Sequence, residues 1–185
     1  SLVEAMVTVA ISSMITIAAI GVLVYSQKAT LTAFRHNKTN EEARLVSDTI
    51  AKDLRGAYGL EAAFSDGTTT FILSTTTLIL RLPAINDDRN RFVDFGDRFD
   101  RVIYHPDEND PEILIRSVRP DQRSGRAESD RAYGTAFETT AYFAPQVIAQ
   151  GAFVVHYQFV ITRPMLGRDL TMSVSGSSRL RNHPL

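Results

Sequence analysis

The chain has 185 residues, 44% of them hydrophobic and 22% charged, and its 20 basic and 21 acidic side chains leave a net charge of −1. A near-neutral balance gives no global reason to expect nucleic acid or an anionic membrane surface as a partner. Cysteine is absent, which excludes disulfide frameworks, thiolate metal sites and cysteine nucleophiles, so the fold must be held by sheet pairing and apolar burial.

The first element is residues 1–25, SLVEAMVTVAISSMITIAAIGVLVY, apolar throughout except for small hydroxyl residues and Glu4. As a helix it reaches ~36 Å at ~1.5 Å per residue, enough to cross a ~30 Å hydrocarbon layer. Thr8, Ser12, Ser13 and Thr16 fit such a helix, because a hydroxyl can bond back to the carbonyl of the preceding turn. The stretch lacks the basic first region of a secretory signal, so it is expected to be kept. Glu4 is the anomaly, since an acid at the bilayer centre costs ~2.5–3.5 kcal/mol on insertion scales. Either it sits at headgroup level or it has a cation at similar depth. No Lys or Arg precedes Lys28, so that cation would be the chain's own amino end or that of a neighbouring copy.

This stretch, extended to SLVEAMVTVAISSMITIAAIGVLVYSQ, resembles the N-terminus of bacterial type IV pilins and of the pseudopilins of type II secretion. In that family a prepilin peptidase cuts the precursor just before a residue, usually Phe, that is then N-methylated, and a Glu is the fifth mature residue. Glu4 stands one place early, which implies a residue before Ser1. The resemblance implies that Glu4 pairs with the amine of the adjacent subunit during assembly. It implies equally that Leu2, Val3, Met6, Val7, Val9, Ile11, Met14, Ile15, Ile17 and Ile20 pack the filament core. Pilins often carry a Pro near the position of Gly21, where their helix can unwind. Here only a glycine stands, at a cost of ~1 kcal/mol relative to Ala, marking residues 18–24 as the stretch open to unwinding.

From residue 26 to 59 the apolar residues thin to a stripe, Leu31, Phe34, Leu45, Val46, Ile50, Leu54 and Ala57, mostly three or four apart. This predicts one helix of about 55 residues whose amphipathic second half lies on a head domain. Asp48 with Lys52 and Glu41 with Arg44 have pairing distance along it, and Gly56 and Gly59 stop it. Thr39 with Glu42 has capping-box spacing, which admits a break over residues 37–40, although the stripe runs through both sides. Asn37-Lys38-Thr39 also matches a glycosylation sequon, best explained as a chance match inside a helix.

Residues 60–69 read as a connector with a turn at Asp66-Gly67. Residues 71–73 and 78–82 read as a hairpin ended by Pro83, and residues 102–104 and 113–118 as a second one. The clearest pair comes last. Phe153, Val155, Tyr157, Phe159 and Ile161 share one strand face, and across a turn over residues 163–169 Leu170, Met172 and Val174 alternate with Thr171, Ser173 and Ser175. The predicted class is α+β: a long N-terminal helix, apolar then amphipathic, packed on an antiparallel sheet whose other face is wet. The expected organisation is residues 1–25 as membrane or filament-core helix, 26–59 as amphipathic helix, and 60–185 as the head. With the ending SRLRN at residues 178–182, this layout resembles the larger minor pilins and pseudopilins.

Motifs for chemistry are missing: there is no G-x-S-x-G, H-E-x-x-H, P-loop or dinucleotide fingerprint, and no enzyme is expected. His36, His105, His156 and His183 have no ligand spacing, and His156 reads as a half-exposed strand residue. Two acidic loops, Asp87, Asp88, Asp94, Asp97 and Asp100, then Asp107, Glu108, Asp110 and Glu112, carry hard oxygen ligands, and some pseudopilins use calcium to order a loop. The spacing matches no EF-hand, and Arg89, Arg91, Arg98 and Arg101 favour self-neutralising loops, so no cofactor is expected. Residues 119–145 read as a long polar loop, and Arg116, Arg119, Arg123, Arg126 and Arg131 are the one feature pointing to nucleic acid, diluted by Asp121, Glu128 and Asp130.

The expected function is therefore a structural subunit of an extracellular, pilus-like helical filament. Its partners would be copies of itself, the inner membrane before assembly, the prepilin peptidase and the assembly platform. A minor pilin or secretion pseudopilin that initiates or caps a filament, in which case periplasmic, is the alternative. A membrane-tethered enzyme or binding module is the distant third.

Overall fold

The computed structural model describes residues 1–85, 99–133, 138–147, 153–165 and 168–180. The chain divides into two units, Ser1–Glu41 and Glu42–Leu185. A single helix, α1 (Leu2–Gly56), contributes to both. It is continuous through Gly21 and through residues 37–40, where Thr39 donates its hydroxyl back to the Arg35 carbonyl at 2.9 Å instead of capping a new helix. A long run without Pro leaves every interior N–H a partner one turn back, so capping spacing alone does not end it.

In the second unit ten strands follow among the described residues. These are β1 (Gly59–Leu60), β2 (Ala63–Ser65), β3 (Thr70–Ile72), β4 (Leu78–Pro83), β5 (Phe99–Pro106), β6 (Leu114–Arg119), β7 (Ser129–Tyr133), β8 (Glu138–Val147), β9 (Phe153–Met165) and β10 (Arg168–Arg179). All pair antiparallel, in a five-stranded sheet β1-β4-β5-β6-β7, a three-stranded sheet β10-β9-β8 and the hairpin β2-β3. The class is α+β.

Two expectations about the strands are corrected. Residues 71–73 do not pair with 78–82: Phe71 pairs with Phe64 in β2, and β4 lies between β1 and β5. The Asp66-Gly67 turn closes that hairpin, with Gly67 at φ +93°, a conformation that costs other residues steric strain. The Asp66 carboxylate accepts from the Thr68 and Thr69 N–H groups, which is why so short a hairpin holds. Nor is the region 119–145 one loop, since it supplies β7 and β8. Four consecutive residues of β7 are exposed and only Tyr133 is buried, so its strand character has no apolar alternation to announce it. The β5–β6 and β9–β10 hairpins form as expected and are longer than the apolar patterns suggested.

The core forms where α1 and both sheets meet. Ala43, Val46, Ile50, Leu54 and Ala57 pack with Leu78, Leu80, Val102 and Tyr104 of the larger sheet and with Phe143, Val155, Phe159 and Ile161 of the smaller. Leu31, Phe34 and Leu45 of the expected stripe are exposed, Leu45 at 48%, because the burying residues lie three or four apart counting from Ala43. Leu78, Ile79 and Leu80 are buried consecutively. Their alternation is lost because β4 is covered on both sides: Leu78 and Leu80 enter the main core, while Ile79 joins Phe71, Ile103 and Phe64 in a second cluster involving the β2–β3 hairpin. On β9 and β10 one face stays wet, as expected, with His156, Gln158, Ser173 and Ser175 exposed.

Candidate functional site

Every side chain of residues 1–34 is exposed, with Leu2 at 80%, Met14 at 74% and Ile17 at 71%. Within the first unit this helix is long and apolar enough to span a membrane. Three of its hydroxyls are satisfied internally: Thr8 donates to the Glu4 carbonyl, Ser13 to Val9 and Thr16 to Ser12, each between 2.7 and 2.8 Å. None of these needs water or a partner helix. Thr8, Val9, Ser12, Ser13, Thr16 and Ile17 line a shallow groove of about 430 Å³. Small side chains one turn apart allow another helix to approach closely.

Glu4 lies in the first turn, where the helix dipole favours a negative charge. Its Oε2 accepts from the Ser1 nitrogen at 2.6 Å, and its own N–H reaches Ser1 Oγ at 3.4 Å. Ser1-x-x-Glu4 thus has the two reciprocal bonds of a capping box, and its S-x-x-E spacing is visible in the sequence. Both groups are exposed, so the contact is screened by solvent and adds little to stability. Both contacts of Glu4 therefore lie within the first turn of its own helix. The ten core-packing candidates, Leu2 to Ile20, are on this helix with their apolar surface uncovered.

The second unit holds ionic clusters that the sequence reading missed. Asp53 sits on the buried stripe, three residues after Ile50 and four before Ala57, a charge where the period demands an apolar residue. That displacement was the available signal. Its Oδ2 accepts from Tyr104 Oη and from Arg116 Nε, both at 2.7 Å, and Oδ1 accepts from Arg116 Nη2 at 3.2 Å. Burial, reinforced by the Asp53 charge, pushes the Tyr104 phenol well above its ordinary value. Desolvation works against the Arg116 guanidinium, but the Asp53 hydrogen bonds outweigh it and raise its pKa. The cluster pins the end of α1 to β5 and β6.

Four of the five arginines that could have formed a basic strip are engaged by other side chains. Arg116 is committed to Asp53, Arg126 Nε bonds the fully buried Asp100 at 2.7 Å, and Arg131 lies over the Tyr133 ring. Arg119 bonds Asp130 at 2.6 Å and Asp66 at 3.3 Å, with Glu128 at 3.4 Å. The arginines neutralise acids contributed by other elements, so spacing along the chain overstated the local positive charge. Hydrogen bonds from the Thr69 and Thr68 groups, with Arg119, hold the Asp66 carboxyl well below the usual range; the bond from Arg119 lowers that of Asp130.

Of the acidic loops, Asp87, Asp88, Asp94 and Asp97 lie outside the described residues. Asp100 is taken by Arg126, Ser124 Oγ and the Asp121 N–H. Asp107 accepts from the Asn109 and Asp110 N–H groups, and Asp110 from Glu112, closing backbone turns. Among the described residues no three metal-ligating side chains converge. His156 Nε2 is 3.2 Å from Gln146 Oε1 on the wet sheet face, and His105 bridges the Pro106 carbonyl and Ser117 Oγ. His183 lies outside the described residues. Compared with protein-family models, curated proteins and solved structures, the chain matches none.

Proposed function

We propose that the chain is a structural subunit of a pilus-like helical filament, held in a membrane by the apolar part of α1 before assembly and packed through it afterwards. One observation carries the reading: residues 2–34 are helical and all exposed, and up to residue 25 they are apolar but for small hydroxyl residues and a single acid, at the N-terminal turn. Full burial of an aliphatic side chain yields about 1.5–3 kcal/mol, so the ten candidates from Leu2 to Ile20 represent about 15–30 kcal/mol gross. Lipid satisfies that demand first, and neighbouring copies satisfy it in a filament. Such a head-to-tail contact does not close on itself, so it propagates.

In this reading Glu4 sets register. Inside a bundle of apolar helices its carboxylate is left without solvent unless an amine lies beside it, and a displaced copy leaves it unpaired. Gly21 marks where the helix would yield if the filament requires unwinding. The prepilin peptidase, the N-methylated residue before Ser1 and the assembly platform follow from the resemblance of residues 1–27.

Substituting Glu4 separates its two roles. Gln preserves the capping hydrogen bond but removes the charge, whereas Ala removes both. Filament yield should fall sharply in Glu4→Gln and in Glu4→Ala alike, with membrane insertion of both unchanged. Wild-type yield for Glu4→Gln would reduce Glu4 to a helix cap and overturn the pairing. The proportion of this chain in purified filaments separates the main subunit from the initiating or capping one; a trace level relative to another subunit assigns the latter.

A further inference from the structure

The three-stranded sheet ends in β10, whose outer edge is unpaired among the described residues. The opposite edge of the same sheet is bonded to the rest of the unit at two places. There β8 donates the Thr139 N–H to the Glu112 carbonyl and the Phe143 N–H to the Thr75 carbonyl. An open edge strand presents a row of N–H and C=O groups and is normally guarded by a Pro, a bulge or an interior charge. β10 is twelve residues long, pairs with β9 without interruption from Arg168 to Arg179, and has neither Pro nor charge between Leu170 and Ser178. Its charges stand only at the ends: Arg168 and Asp169 at one, Arg179 at the other.

That arrangement specifies a partner and a register. We infer that β10 is an interface between two copies of this chain, paired antiparallel about a two-fold axis at Val174. In this register Asp169 of each copy faces Arg179 of the other, so both ends are charge-complementary at once. Thr171 then faces Ser177 and Ser173 faces Ser175, all on the exposed face, and cross-strand hydroxyl pairs of this kind hydrogen-bond. On the other face Val174 meets its own copy and Met172 meets Gly176, covering apolar atoms only partly buried in one chain. A one-residue slip would place exposed side chains opposite buried ones and separate the charge pairs. The pairing adds on the order of ten backbone hydrogen bonds and joins two three-stranded sheets into one of six.

The contact does not rest on the filament reading. Being isologous it closes on itself, so it makes pairs and not a fibre. Between filaments, it would join heads of opposite polarity.

Because the chain has no cysteine, introduced thiols report this register without background. In the full-length chain in detergent, under mild oxidation, Val174→Cys should form a disulfide dimer. Thr171→Cys and Ser177→Cys, both at exposed positions, should each stay monomeric alone and cross-link when mixed. Micellar association of α1 would cross-link either variant alone as readily as the mixture, and that result would overturn the inference, as would monomer throughout. Asp169→Arg in the Val174→Cys background should lower the dimer yield several-fold, and adding Arg179→Asp should restore it. Failure of the charge swap to restore it would overturn the register.

Discussion

Replacing Asp53 by Asn should destabilise the second unit by about 3 kcal/mol and by Ala about 5 kcal/mol, the range for stranding one member of a buried ion pair. The Asp53 side chain is 9% exposed and that of Arg116 17%, so solvent cannot replace the lost carboxylate. Asn retains one acceptor for the fully buried Tyr104 hydroxyl but turns an amide toward the guanidinium; Ala orphans both donors. With a urea slope of about 2 kcal/mol per molar, the Asn variant should shift the midpoint down by roughly 1.5 M and the Ala variant by more. Unfolding of the full chain in detergent can be followed by near-UV circular dichroism of tyrosine, since tryptophan is absent. The triple variant Asp53→Leu, Arg116→Met, Tyr104→Phe should recover most of the loss, because an apolar set of similar volume leaves nothing unpaired. Losses below 1 kcal/mol for the single variants, or a triple variant no more stable than Asp53→Ala, would refute the reasoning.

Three further outcomes follow from the second unit. A Cβ at Gly176 would lie 2.5 Å from the Tyr157 ring and hydroxyl, and Tyr157 is buried, so Gly176→Ala should cost about 1–3 kcal/mol by overpacking, with Tyr157→Phe in the same chain relieving part of it in urea unfolding. Asp66 and Asp130 have depressed folded pKa values, so their contribution is present above the unfolded value of about 4 and is lost as pH falls through the folded ones; Asp66→Asn with Asp130→Asn should flatten the acid limb of a stability-against-pH curve. Tyr104 has a raised folded pKa, so its contribution holds below about pH 10 and declines above it, and Tyr104→Phe should remove that alkaline decline.

Periodicity by itself determined the long helix, the α+β class, the β5–β6 and β9–β10 hairpins and the wet face of the last sheet. Those features depend on local spacing, and local spacing is what a sequence displays. The same reasoning misplaced residues 71–73, because which strand pairs with β3 is a matter of long-range contact: the hairpin to β2 and the insertion of β4 between β1 and β5 leave no mark in the alternation of a three-residue segment. β7 was illegible because four of its five residues are exposed, three of them polar, and leave no apolar alternation.

Glu4 and the apolar run around it were legible at once, since a lone charge in a run of twenty-five otherwise apolar or small hydroxyl residues has few explanations. The charges of the second unit were not. Asp53, Asp66, Asp100 and Asp130 find their arginines 63, 53, 26 and 11 residues away, and only the packing of α1, the β2–β3 hairpin and the five-stranded sheet brings them within hydrogen-bonding distance. What tertiary structure decided was therefore the pairing of charges and the free edge at β10, because both depend on which elements become neighbours. The sequence by itself determined the demand for burial along residues 1–25, because hydrophobicity needs no neighbour to be read.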